Sequence, residues 1–150
     1  MKTLIIYESY HHGNTKKVAE AIAGMLDAKL ATPSEVDVNA LGEYDLIGFG
    51  SGIYYGRYHE NVLALIDRLP SMNKKAFLFC TCGLERGERY TTGISNKLEK
   101  KGFTIVGKFS CAGWDTSPAV AWMGGIKKGR PNEADLEKAK DFAKGLKGQT

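Results

Sequence analysis

Five short apolar runs, each closing on turn residues, constrain this chain more than any other feature of its sequence. They are Lys2–Tyr7 (KTLIIY), a weaker stretch at Lys29–Thr32, Asp45–Gly50 (DLIGFG), Lys75–Thr81 and Phe103–Cys111 (FTIVGKFSC). Runs of this length with little polar alternation read as strands covered on both faces. Between them the period changes. From Thr15 to Leu30 the apolar or small residues Val18, Ala19, Ile22, Met25 and Leu26 form a helical stripe, with Lys16, Lys17, Glu20 and Asp27 off it. His59–Leu69 and Tyr90–Lys101 read as two further helices. A last helix is launched at Pro131-Asn132-Glu133-Ala134-Asp135, with Asn132 as N-cap, acidic residues in its first turn and Leu136, Ala139, Phe142, Ala143 and Leu146 as its inner stripe. Only 33–44 is thin, with room for at most a helical turn.

Alternation of strand and helix implies parallel strands joined by right-handed crossovers, hence an α/β fold: a three-layer α/β/α sandwich on a five-stranded parallel sheet. At 150 residues the chain is the size of one core, and a single domain over 1–150 is expected. Its 43% hydrophobic and 25% charged residues exclude wholesale disorder and fibrous architecture. No run approaches the roughly 18 apolar residues of a membrane span, and Met1-Lys2-Thr3 leads straight into strand sequence, so a soluble, cytoplasmic protein without membrane insertion is expected. Cys80, Cys82 and Cys111 are an odd count, which suits free thiols in a reducing compartment, and Cys80-x-Cys82 lacks the spacer of a thioredoxin-like pair. The net charge of +4 is spread along the chain, densest at Lys127, Lys128 and Arg130, without the interleaved aromatics of a nucleic-acid binder.

Ligands of a doubly wound sheet lie beyond the carboxyl ends of the strands, which selects three loops. In 8–15, Gly13 lets backbone approach a ligand, Ser9, Asn14 and Thr15 add donors, and the start of the following helix favours an anion such as phosphate. Without a Gly-Lys-Ser/Thr sequence, this cradle is not built for a triphosphate with magnesium. In 51–58, three tyrosines stand among glycines, and rings on a loop tip meet water unless something flat covers them. In 81–87, amides beside Gly83 can meet the polar edge of such a ligand. Gly48-Phe49-Gly50-Ser51-Gly52 is a poor dinucleotide fingerprint, with its third glycine misplaced.

In these three loops the sequence resembles the flavodoxin family over essentially its whole length. "SYHHGNT" (9–15) matches the phosphate loop, "SGIYYG" (51–56) the first flavin loop and "TCGLERG" (81–87) the second. The resemblance implies strand order 2-1-3-4-5 and FMN as cofactor, cycled between redox states for redox partner proteins. Carried over residue by residue, it implies that Ser9, His11 or His12, Gly13, Asn14 and Thr15 hold the phosphate. Ser51, Gly52, Ile53, Tyr54, Tyr55 and Gly56 then flank the ring, with Tyr55 stacked on it and Gly56 beside flavin N5. Thr81, Cys82 and Gly83 face the pyrimidine edge.

The phosphate loop is one residue longer than the family's usual Thr/Ser-x-Thr-Gly-Asn-Thr, which leaves the choice between His11 and His12 open. The chain is basic where flavodoxins are usually acidic, and Arg57 is expected to favour the anionic reduced flavin. The segment 111–131, with Trp114, Trp122 and Met123, is longer than a simple strand-to-helix turn and reads as core packing, a lid or a docking surface. "GSGIYYGRYHENVLALI" (50–66) is also similar to flavodoxin-like protoporphyrinogen dehydrogenases, although 81–90 has no room for their extra substrate segment. An electron carrier therefore stands beside two alternatives: an oxidoreductase acting on a quinone or porphyrinogen-type small substrate, and a non-enzymatic binding module of the same fold.

Overall fold

Strand β1 (Thr3–Glu8) is buried along its first four residues, as its unbroken apolar run requires of a strand inside a sheet. The computed structural model describes residues 1–9, 13–54, 56–82, 87–113 and 129–149. Helix α1 (Asn14–Leu26) follows β1 and ends at Asp27, whose φ of 51° breaks the helix and lets β2 (Lys29–Ala31) begin. The helix therefore stops four residues before the Leu30 that periodicity allowed it. Two 3-10 turns, Pro33–Glu35 and Val38–Glu43, replace a crossover helix before β3 (Leu46–Tyr54). A two-residue strand β4 (Arg57–Tyr58) precedes α2 (Glu60–Arg68), β5 (Lys75–Cys82), α3 (Gly87–Lys100), β6 (Thr104–Ala112) and α4 (Glu133–Lys147).

The five parallel strands lie in the order β2-β1-β3-β5-β6, which is the expected 2-1-3-4-5 once the unforeseen β4 is set aside. Strand β4 pairs antiparallel with the end of β3, Ile53 opposite Tyr58 and Tyr54 opposite Arg57. Strand alternation divides the core into two layers. Ile6, Ile47, Phe49 and Leu78 pack under Val62, Leu65 and Ile66 of α2 and Ile94 and Leu98 of α3. Ile5, Leu46, Phe77 and Phe79 pack under Val18, Ala19 and Ile22 of α1 and Ala139, Ala143 and Leu146 of α4.

The glycines of DLIGFGSG have a packing reason. Gly48 lies opposite Phe77, and Gly50 opposite Phe79, across the β3–β5 ladder. A Cβ at Gly48 would run into the Phe77 ring, and one at Gly50 into the Phe79 ring, so both rings lie over bare backbone of the central strand. Asn132 caps α4 as its sequence implies. Its side chain accepts the Asp135 amide at 3.0 Å while the Asp135 carboxylate accepts the Asn132 amide at 2.8 Å. Arg130 donates to the same carboxylate through Nε and Nη2, at 2.5 and 2.7 Å. These bonds hold Asp135 below the ordinary carboxylate range, the Arg130 contact contributing most.

Candidate functional site

The chain leaves β1 to one side for β2 and then crosses to the other side for β3, so strand order reverses between β1 and β3. Beyond the carboxyl ends of these two strands is the crevice such sheets offer a ligand. Gly13 enters it with φ 65° and ψ 26°, a left-handed conformation that glycine adopts without a Cβ penalty. Among the described residues nothing lies within 4 Å of a Cβ built there, so they leave the turn open above its backbone. Ser9 Oγ accepts the Lys16 amide at 3.2 Å, which satisfies one of the first-turn N–H groups of α1.

Helix α1 differs from α2 and α4 in the charge of its first turn. Its first turn holds no carboxylate, and Lys16 and Lys17 are exposed there. By contrast α2 carries Glu60, and α4 carries Glu133 and Asp135, at their positive ends. The dipole of α1 is left for an external anion to meet.

Thr15 and Asn14 tie this helix to the far side of the crevice. Thr15 is 1% exposed, and its hydroxyl lies 2.8 Å from that of Thr81 at the end of β5. Asn14 packs against the backbone of Gly113, whose amide donates to the Cys82 carbonyl at 3.0 Å. Asn14, Thr15, Thr81 and Cys82, all expected at the site, are thus brought together with Gly113, which sequence reasoning missed.

The region read as a tyrosine-rich loop is largely strand. Ser51 and Gly52 sit in the ladder opposite Cys80 and Thr81, and β3 continues to Tyr54. The Ser51 hydroxyl donates to the Gly52 carbonyl at 2.5 Å and accepts the His59 amide at 2.8 Å, closing the hairpin from inside. The chain reverses at Gly56, with φ 78°. Tyr58 is no loop-tip ring: it is 2% exposed and donates its hydroxyl to the Phe79 carbonyl at 2.7 Å. Burial pushes that phenol well above its ordinary pKa, so it remains a donor. Tyr54 stands edge-on to His59, ring centroids 5.5 Å apart, with its hydroxyl directed back over Gly52. Tyr90 of α3 lies near the turn, a ring carbon 3.8 Å from where a Gly56 Cβ would be. Its place beside an aromatic-rich turn had no signal in the sequence beyond its being the first aromatic residue of a helix.

His11, His12, Tyr55 and Gly83 lie outside the described residues, as do Trp114, Trp122, Met123, Lys127 and Lys128. Among the described residues no group of three His, Cys, Asp or Glu side chains is placed to hold a metal ion. Also among them, no helix is long and apolar enough to cross a membrane.

A family model described as Flavodoxin domain matches residues 4–113, from β1 to Gly113. The chain belongs to the flavodoxin family. An uncharacterized protein of Methanocaldococcus jannaschii is 43% identical over 97% of this flavodoxin-family chain and 98% of its own. A flavodoxin from the domain Archaea superposes with a TM-score of 0.74 at 21% identity, covering 99% of this chain and 98% of that one. Flavodoxin 2 from Bacillus cereus gives 0.74 at 24% identity over the whole of both chains. The rubredoxin oxygen:oxidoreductase of Desulfovibrio gigas gives 0.69 at 19% identity, but 99% of this chain corresponds to only 36% of that one. At these identities the likeness to the solved structures is one of fold.

Proposed function

We propose that this flavodoxin-family chain binds FMN noncovalently and carries electrons between redox partner proteins in the cytoplasm. The observation that carries the reading is the amino end of α1: a positive helix terminus with no carboxylate in its first turn, behind an open left-handed Gly13, at the reversal of strand order. The residues present fit a phosphate monoester joined to a flat ring. Ser9 and the amides of Gly13, Asn14 and Thr15 hold the phosphate, with His11 or His12 beside them. Because its hydroxyl is engaged by Thr81, Thr15 contributes chiefly its backbone N–H. The turn at Tyr55-Gly56 flanks the ring, and the end of β5 from Thr81 to Gly83 meets its polar edge.

Bound FMN supplies the electron-accepting ring system, and the protein orients it and sets its potential. Gly56, in the left-handed region, can reorient its peptide at little steric cost and so present either a carbonyl or an amide to the ring edge. Three free cysteines, two of them buried, suit a reducing interior. The purified protein is expected to be yellow, with flavin absorption bands and a heat-released compound of the mass of FMN. A colourless protein that leaves the fluorescence of added FMN unchanged refutes the reading. Steady-state turnover of a quinone or porphyrinogen without a protein partner would replace the carrier by an oxidoreductase.

A further inference from the structure

Gly113 is a glycine because of one polar side chain. A Cβ built there would lie 2.6 Å from Asn14 Nδ2, 2.9 Å from Asn14 Cγ and 3.1 Å from Asn14 Cβ, closer than real Cβ contacts allow. Its backbone is outside the left-handed region, so no dihedral requirement excludes alanine. The backbone of Gly113 is itself held, by its amide bond to the Cys82 carbonyl at 3.0 Å. One residue earlier in β5, Thr81 holds Thr15. The first two residues of α1 therefore rest on the far side of the sheet, Asn14 on Gly113 just past β6 and Thr15 on the end of β5.

We infer that Gly113 is a positioning residue for the phosphate end of the flavin site, fixing the Asn14 side chain at the mouth of the cradle by backbone contact. The inference rests on the FMN reading above. A side chain with two rotatable bonds makes a selective contact only if something stops it from turning, and the close approach of Gly113 supplies that stop. The atoms a new Cβ would meet belong mainly to the outer part of the Asn14 side chain. Alanine at 113 is therefore accommodated by swinging Asn14 away, which disturbs the cradle and spares the sheet.

The test compares FMN with riboflavin, which has the ring and lacks the phosphate, in fluorescence titrations of wild type and Gly113→Ala. The expected result is a roughly tenfold weaker FMN affinity, the scale of one misplaced hydrogen bond to a charged group, with riboflavin affinity changed less than about twofold. Equal weakening of both flavins, or unchanged FMN binding, overturns the inference. Should Gly113→Ala fail to fold, Asn14→Ala supplies the same comparison: a lost preference for FMN supports the role of the side chain, and a retained preference overturns it. Where both variants fold, Gly113→Ala is expected to add nothing in the Asn14→Ala background, and additive losses count against the mechanism. Wild-type protein that binds FMN and riboflavin equally overturns this inference while the flavin reading stands. Wild-type protein that binds neither removes both.

Discussion

The hydroxyls of Thr15 and Thr81 lie 2.8 Å apart in a buried contact, joining the first turn of α1 to the end of β5 across 66 residues of sequence. Removing one partner leaves the other hydroxyl buried without its mate, whereas removing both leaves an apolar contact of similar shape. Thr81→Val is expected to lower stability by about 1 to 2 kcal/mol in urea unfolding. The double variant Thr15→Val/Thr81→Val should fall short of the summed single losses by roughly 1 kcal/mol. Strict additivity would mean that the hydroxyls do not pair.

Arg57 is exposed on β4, the residue after Gly56, and under the proposed FMN reading its charge would favour a reduced ring that carries a negative charge. Arg57→Ala is expected to make the potential for full reduction of the bound flavin more negative by roughly 10 to 30 mV, the scale of an exposed unit charge within a Debye length. The difference should shrink as salt rises. Identical potentials at low ionic strength would remove Arg57 from the tuning of the site.

Arg130 and Asp135 give a prediction in pH. The carboxylate of Asp135 is 5% exposed and held below its ordinary range, so the stability it contributes is present above the unfolded-state pKa of about 3.9 and is lost as pH falls through the lower folded value. Arg130→Met is expected to cost about 2 kcal/mol at pH 7, less than for a fully buried pair because the arginine is 30% exposed. That cost should decline progressively below about pH 4 as Asp135 takes up a proton. A cost independent of pH between 2 and 7 would contradict the pairing.

The thiols should be inert in the folded protein. Burial, then the nearby Asp135 charge, pushes Cys111 up to about 12, and a hydrogen bond between the Cys80 and Cys82 side chains that favours the protonated Cys80 thiol, together with burial, raises Cys80 further from the thiolate range. Reaction with a disulfide reagent at pH 8 is expected to reach no thiol rapidly in the native state and all three in denaturant. Rapid stoichiometric labelling of Cys111 in folded protein would overturn this.

The parallel architecture was legible because each strand is covered on both faces, so KTLIIY and KAFLFCT appear as apolar runs, and because Asn132 and Asp135 form an N-terminal cap from local chemistry alone. The order of the strands came through resemblance and was met by the structure. Other features depend on contacts remote in sequence. Tyr58 looked like a ring for a ligand, but its hydroxyl finds the Phe79 carbonyl, 21 residues away. Ser51 looked like loop and is ladder, since the pairing with Cys80 that extends β3 has no local signature. Helix α1 stops at Asp27 because that residue takes a left-handed conformation, which its sequence position did not announce. Gly113 was invisible for the same reason: the Asn14 side chain that forbids a Cβ there belongs to the other end of the chain.

Phe77 and Phe79, lying over Gly48 and Gly50, leave the centre of the sheet with matched volumes on neighbouring strands. Neither strand can change alone. A methyl gained on one has to be matched by a smaller side chain on the other, so relatives of this protein should exchange these partners in concert. Joint randomisation of positions 50 and 79 should yield folded combinations that separate randomisation of position 50 does not.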